Sequence, residues 1–268
     1  MTAAVGDRLF EAIESATQMP PISSIDESFD VPAAYRVLED LHARRRAQGW
    51  APRGRKIGFT NRTIWARYGV DRPMWSHVWD RTVTFAADGQ AVVPLAGLME
   101  PRIEPEVVFK LRGPLPPGDD AVALLRNVEW LAPAFEIVHS VFPGWRFGAA
   151  DCTASFGLHG RLVVGTPLQV DDTNCTALAA ALPRLNVALL RGGALVETGS
   201  GANVLGSPAL ALAYLRDLLT TQPWSPPLAA GELVTTGTLT DAWPVAAGET
   251  WTSNYATLGL VALCVQLA

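Results

Sequence analysis

Along the first fifty residues, apolar side chains recur at helical spacing. Val5, Leu9, Phe10 and Ile13 share a stripe, which predicts a helix over residues 2–18 that Pro20 and Pro21 stop. A second stripe of Tyr35, Val37, Leu38 and Leu41 predicts a helix over residues 30–48, with Asp30 placed to cap it and Pro32 in its first turn. The pattern shortens after Gly49. Residues 53–60 read as a strand, 61–68 as a helix, and Gly69-Val70-Asp71 as a turn. Residues 73–80 hold Trp75, His77 and Trp79, an aromatic density that fits a lid, an interface or the rim of a pocket.

From residue 82 the chain reads as strands and short turns: 82–85, 91–95, the segment around Glu104, 121–127 and 161–164, with a proline-rich loop over 113–120. The apolar run 130–138 follows residue 127, and its Pro133 suggests a helix start. Strands over 186–190 and 194–198 flank Arg191-Gly192-Gly193 as a hairpin turn. A helix over 208–219 and strands over 232–236, 250–253 and 260–267 complete the chain. Strands do not alternate regularly with helices, which argues against a doubly wound sheet and for an α+β fold. The organisation expected is a helical region over residues 1–50 and one large domain over 51–268.

Composition narrows the function classes. The chain has 268 residues, a formal charge of -5 and only 18% charged residues, so some apolar surface is expected to be covered by sister subunits in a homo-oligomer. Nothing basic extends beyond His42-Ala43-Arg44-Arg45-Arg46, which is expected to solvate a helix end; no nucleic acid partner is implied. The acidic N-terminus is not a signal peptide, and no window approaches the roughly eighteen apolar residues of a membrane span. Cys152, Cys175 and Cys264 are widely spaced, which fits small core residues in a reducing cytoplasm.

The candidate chemistry centres on Pro101-Arg102-Ile103-Glu104-Pro105-Glu106. On an extended strand Glu104 and Glu106 point to one side, because side chains alternate with period two. Such a pair is either solvated on an edge strand or held together by a divalent cation or a shared proton. Glu136, inside the apolar run 130–138, shifts the balance towards the cation, since a carboxylate in such surroundings needs a partner. Three carboxylates form an all-oxygen site, suited to magnesium or manganese and to a chelating 2-oxo acid. Lys56 is either a surface residue or the cation that balances the site and moves protons, with Arg53 and Arg55 placed to lower its pKa. The loop from Gly199 to Gly206 either makes a tight strand-to-helix turn or presents N–H groups to an anion.

Taken in order, Gly54-Arg55-Lys56-Ile57-Gly58-Phe59-Thr60, Gly69-Val70-Asp71-Arg72-Pro73, Pro101 to Glu106, Phe135-Glu136-Ile137-Val138, Thr198 to Pro208 and Pro244 to Glu249 resemble the hydratase/decarboxylase branch of the fumarylacetoacetate hydrolase superfamily. The resemblance implies a mixed β-roll or barrel-like core with an N-terminal helical cap, often assembled as pentamers or decamers. It implies Glu104, Glu106 and Glu136 as ligands of Mg2+ or Mn2+, and Lys56 as the proton-transferring residue. It makes Asp151, Ser155, Phe156, Thr198 and Gly199 candidate lining for a substrate pocket. The family departs here at Cys152-Thr153-Ala154-Ser155-Phe156-Gly157, where an Asp-Asn pair is usual, which implies a more apolar or differently shaped distal pocket.

The leading expectation is a metal-dependent hydratase of a small 2-oxo-enoate (2-oxopent-4-enoate type). A decarboxylase of a 4-oxalocrotonate-type acid would need Arg62, Arg72 or Arg146 at the distal carboxylate. A carbon-carbon bond hydrolase would need a histidine base beside Glu104. A non-catalytic scaffold is disfavoured by the presence of Lys56 and all three carboxylates.

Overall fold

The computed structural model describes residues 2–222, 224–255 and 257–268. Helix Thr2–Glu14 and helix Val31–Ala47 form as the stripes predict. Asp30 caps the second, its carboxylate accepting from the Ala33 N–H at 2.8 Å. Leu9, Leu38 and Leu41 pack into the same buried cluster as Ile57, Phe109 and Leu212 of the rest of the chain. The basic cluster at the end of this helix is not simply solvated. Arg44 pairs with Asp7 and Asp40, while His42 and Arg45 are buried.

Among the described residues the strands form two mixed sheets, giving an α+β fold. The larger has nine strands, with the main order Met74–Trp79, Pro52–Gly58, Leu233–Thr235, Arg102–Leu111, Val128–Val138, His159–Val164, Val83–Phe85. The smaller has five: Ala194–Ser200, Asn186–Arg191, Thr250–Tyr255, Leu263–Leu267 and Gln90–Val93. Alternation assigns the two faces of the central strands. Ile103, Phe135 and Ile137 turn one way and pack with Leu189, Trp251 and Val265 of the smaller sheet. Their neighbours Glu104 and Glu136 therefore turn the other way. Each apolar side chain buried in that interface contributes about 1.5–3 kcal/mol, which locks the register. No helix among the described residues is long and apolar enough to cross a membrane.

Three segments differ from the sequence expectation. Residues 121–127 begin with a helix, Ala121–Leu125, because Asp120 caps it through the Val122 N–H and Ala and Leu favour helix. The run 130–138 is strand throughout, and Pro133 does not start a helix. Its carbonyl accepts from Gly165 N, so its missing N–H faces a gap in pairing: His159–Val164 covers Ala134 to Val138 on that flank, and Leu168–Gln169 covers Trp130 and Leu131. The aromatic segment at 73–80 is the buried strand Met74–Trp79, with Trp75 in the core, Met74 reaching the carboxylate cavity described below and Trp79 lining a second cavity.

Candidate metal centre

Four neighbouring strands of the larger sheet converge on one point. In sheet order they carry Lys56, then Thr235, then Glu104 and Glu106, then Glu136. Lys56 lies opposite Thr235, Thr235 opposite Val108, and Glu104 opposite Glu136, so the period of two puts all of these side chains on one face. Carboxylate oxygens of Glu104, Glu106 and Glu136 lie within 4.8 Å of one another. Glu106 and Glu136 are buried and Glu104 is half-buried.

Each carboxylate is held differently. Glu136 accepts from Lys56 Nζ at 2.9 and 2.8 Å through its two oxygens, and its Oε1 lies 2.7 Å from His159 Nδ1. Glu106 accepts from the Thr235 hydroxyl and, at 3.0 Å, from the Gly237 N–H. The Tyr255 hydroxyl donates to the Glu106 carbonyl at 2.8 Å and fixes the strand itself. Gly237 is required where it stands: its φ is +94°, and a Cβ there would lie 1.9 Å from Thr60 Oγ1.

Electrostatics separates the three acids. Burial raises Glu136, but the Lys56 ammonium and His159 outweigh it and hold the carboxyl at about 2. Burial also raises Glu104, and Lys56 only partly compensates, leaving it at about 7. Glu106 is pushed well above the ordinary carboxylate range by burial and then by the charges of Glu136 and Glu104. Lys56 pairs directly with one acid, while Glu104 is helped only at longer range by Lys56 and Arg102, and Glu106 by Lys56. For Lys56 the expected lowering is reversed: burial disfavours its charge, yet Glu136, Glu104 and Glu106 raise its pKa above the ordinary lysine value. Arg55, the adjacent residue on the strand, turns to the opposite face.

The face opens into a cavity with an empty volume of about 810 Å³, its mouth included. Lys56, Glu104 and Glu106 form the polar end, and Phe59, Met74, Trp145, Phe147 and Leu158 line the apolar wall. Tyr68, also in the lining, stacks on Phe147 with ring centroids 5.1 Å apart. Arg102 reaches the cavity with its guanidinium 4.0 Å over the Trp145 ring.

No family model matches the chain. It is, however, 33% identical over 246 residues to 2-hydroxyhexa-2,4-dienoate hydratase of Comamonas testosteroni, covering 91% of this chain and 89% of that protein. The chain belongs to the hydratase/decarboxylase branch of the fumarylacetoacetate hydrolase superfamily. Within that branch it is also 30% identical over 253 residues to 4-oxalocrotonate decarboxylase of Pseudomonas sp. strain CF600, covering 92% of this chain and 91% of that one. A solved structure of 4-oxalocrotonate decarboxylase from Pseudomonas putida G7, complexed with magnesium and adipate, superposes with a TM-score of 0.88 at 25% identity, covering 100% of this chain and 97% of that one.

In this superfamily chain the structure brings together Lys56, Glu104, Glu106 and Glu136, but the other expected pocket residues lie elsewhere. Asp151 is buried in structural bonds, accepting from Ser23 N and Oγ and from Gly148 N. Ser155 donates back to the Asp151 and Cys152 carbonyls, as helix-end hydroxyls do. Phe156 packs against His42, with centroids 5.6 Å apart. Thr198 and Gly199 belong to the smaller sheet, where a Cβ on Gly199 would strike the Leu239 carbonyl. The wall is supplied instead by Cys152, Gly157 and Leu158 of the same segment. The Cys152 thiol is pushed up to about 12 by burial, which leaves it unreactive.

Sequence reasoning passed over His159. It is buried, and burial outweighs the Glu136 bond to lower its pKa. Glu136, ionised, has no proton to give, so neutral His159 donates from Nδ1, and its Nε2 lies 2.8 Å from the Thr82 hydroxyl oxygen. His139, three residues after Glu136, accepts from Met99 N at 3.3 Å. The signal available in the sequence was weak: a polar residue opening the apolar strand 159–164.

Proposed function

We propose that this protein is a divalent-metal-dependent hydratase that converts a 2-hydroxydienoate or 2-oxo-enoate to a 4-hydroxy-2-oxo acid. The observation that carries this reading is the juxtaposition of Lys56 with three carboxylates at one end of a cavity that also has an apolar wall. The donor set is all oxygen, and two of its acids are only partly compensated, which fits magnesium or manganese. Glu104, Glu106 and Glu136 would hold the ion. When bound, it supplies positive charge to the 2-oxo and carboxylate oxygens of the substrate.

Lys56 starts protonated and therefore acts first as an acid. Nζ gives a proton to the terminal carbon of the dienolate, takes one from the water that attacks carbon 4, and returns it to carbon 3; a solvent proton, equal to the one released when the 2-hydroxyl ionised, then restores the ammonium. The apolar wall keeps bulk water from the conjugated chain. The catalytic unit spans 51–268 in this reading, with the helices of 1–50 as its cap. A homo-oligomer is part of the reading too, because both outer strands of the smaller sheet carry an exposed apolar residue, Val92 and Leu195.

Hydration is favoured over decarboxylation by the distal lining. Arg62 bonds the Tyr214 hydroxyl, Arg72 pairs with Asp71, Arg146 is exposed, and none of them lines the cavity. The decarboxylase reading rests on Arg102 alone. With 2-hydroxypenta-2,4-dienoate the absorbance of the dienol should disappear without carbon dioxide release. Stoichiometric carbon dioxide from the dicarboxylic analogue, at a higher kcat/KM, would replace hydratase by decarboxylase. Hydrolysis of a carbon-carbon bond gains no base, since His159 is tied at both nitrogens and does not line the cavity.

Metal binding has its own signature in stability. Glu104 rises from 4.5 to about 7 on folding, so the folded state binds more protons across that window and metal-free stability falls as pH rises through it. Glu106, shifted the same way, extends the loss upward. A cation replaces those protons. Magnesium is therefore expected to raise the Tm by several degrees at about pH 8 and by much less at about pH 5. Equal shifts at both, read by calorimetry, would count against metal at these carboxylates.

A further inference from the structure

A second cavity has His159 in its wall, a residue that does not line the catalytic cavity. Its charged lining is two arginines, Arg45 and Arg161, beside His139 and His159, which burial keeps neutral, with no carboxylate among the lining residues. Arg45 is already neutralised by Glu14, 2.6 Å away, and its guanidinium lies 4.3 Å over the Trp50 ring. Arg161 is different. It spends two of its five N–H donors on the backbone carbonyls of Gly160 and Ala96, at 2.9 and 3.3 Å, and no carboxylate pairs with it among the described residues.

A second donor in the same wall is unsatisfied. Trp79 is 2% exposed and its indole Nε1 has no hydrogen-bond partner. Such a group costs free energy unless an acceptor reaches it. The rest of the wall is mostly apolar, with Ile13, Trp50, Leu98 and Phe156, and its further polar side chain, Thr82, is already engaged by the Trp79 carbonyl and His159. One uncompensated guanidinium, one orphaned indole N–H and an apolar surround define a ligand with a single planar anionic end and an apolar body.

We propose that this cavity binds a small monocarboxylate with an aromatic or aliphatic tail, its carboxylate on Arg161 and Trp79 and its tail against Trp50, Leu98 and Phe156. A single negative charge is selected because only Arg161 brings an unpaired positive one. The proposal does not rest on the hydratase reading, since the site and the catalytic cavity have separate linings.

Benzoate is a suitable probe, titrated calorimetrically into the full chain with magnesium present. One equivalent is expected to bind, and Arg161→Gln to weaken it at least about tenfold, the cost of losing a charge-assisted bond. Leu98→Trp, which fills the apolar end and leaves the arginine in place, should also abolish binding. Glu106→Ala should leave it unchanged. No saturable binding, equal affinity in Arg161→Gln, or loss of binding in Glu106→Ala would each overturn the proposal, the last by placing benzoate on the catalytic carboxylates.

Discussion

Replacing Glu106 with alanine is expected to abolish magnesium-dependent turnover, by about a thousandfold or more, while the protein stays folded. Glu106 is the acid most completely committed to the site. It is buried, its carboxylate is oriented by Thr235 and Gly237, and its backbone carbonyl is held by Tyr255. Its charge is also the least compensated of the three. Alanine removes that burden, so the metal-free Tm should hold or rise, while the magnesium-induced shift disappears. Activity that survives exhaustive chelation in the unmodified protein would defeat the metal reading outright.

Lys56→Met is expected to lower kcat by about 10²- to 10⁴-fold, the usual contribution of a positioned acid or base. The same change tests the electrostatic account of the site. Lys56 and Glu136 are a buried pair with Nζ–O distances of 2.9 and 2.8 Å, and removing the cation leaves a buried carboxylate held only by the hydrogen bond from His159. Breaking such a pair costs about 3–5 kcal/mol in the metal-free protein. Magnesium should restore much of that stability without restoring turnover. Near-normal turnover in the variant would remove Lys56 from the chemistry, and an unchanged metal-free Tm would contradict its role as the counter-charge.

The outcomes for individual residues show where local reasoning stops. The helix over 31–47 was legible because its stripe, its capping Asp30 and Pro32 all lie within one short window. Residues 121–127 misread as strand, since a short apolar run does not reveal its period and Asp120 decides it by a single capping bond. Pro133 misread as a helix start for a comparable reason: what tolerates it in a strand is a gap in pairing on one flank. Asp151 and Ser155 are polar positions whose demands are met by helix ends, which no spacing rule distinguishes from pocket lining.

By itself, the sequence determined that Glu104 and Glu106 share a face, that Glu136 is an acid in apolar surroundings, and that the order of motifs places the chain in its superfamily. These follow from a period of two, from composition and from order, all of which survive without a fold. Only the tertiary structure set Glu136 opposite Glu104, brought Lys56 across 80 residues to meet it, and raised rather than lowered the lysine pKa. Only the fold, too, buried the Trp75 and His77 strand and put His159 behind Glu136. The physical reason is that strand pairing is non-local and that burial and opposing charge, which compete in setting each pKa, are fixed by neighbours distant in the chain.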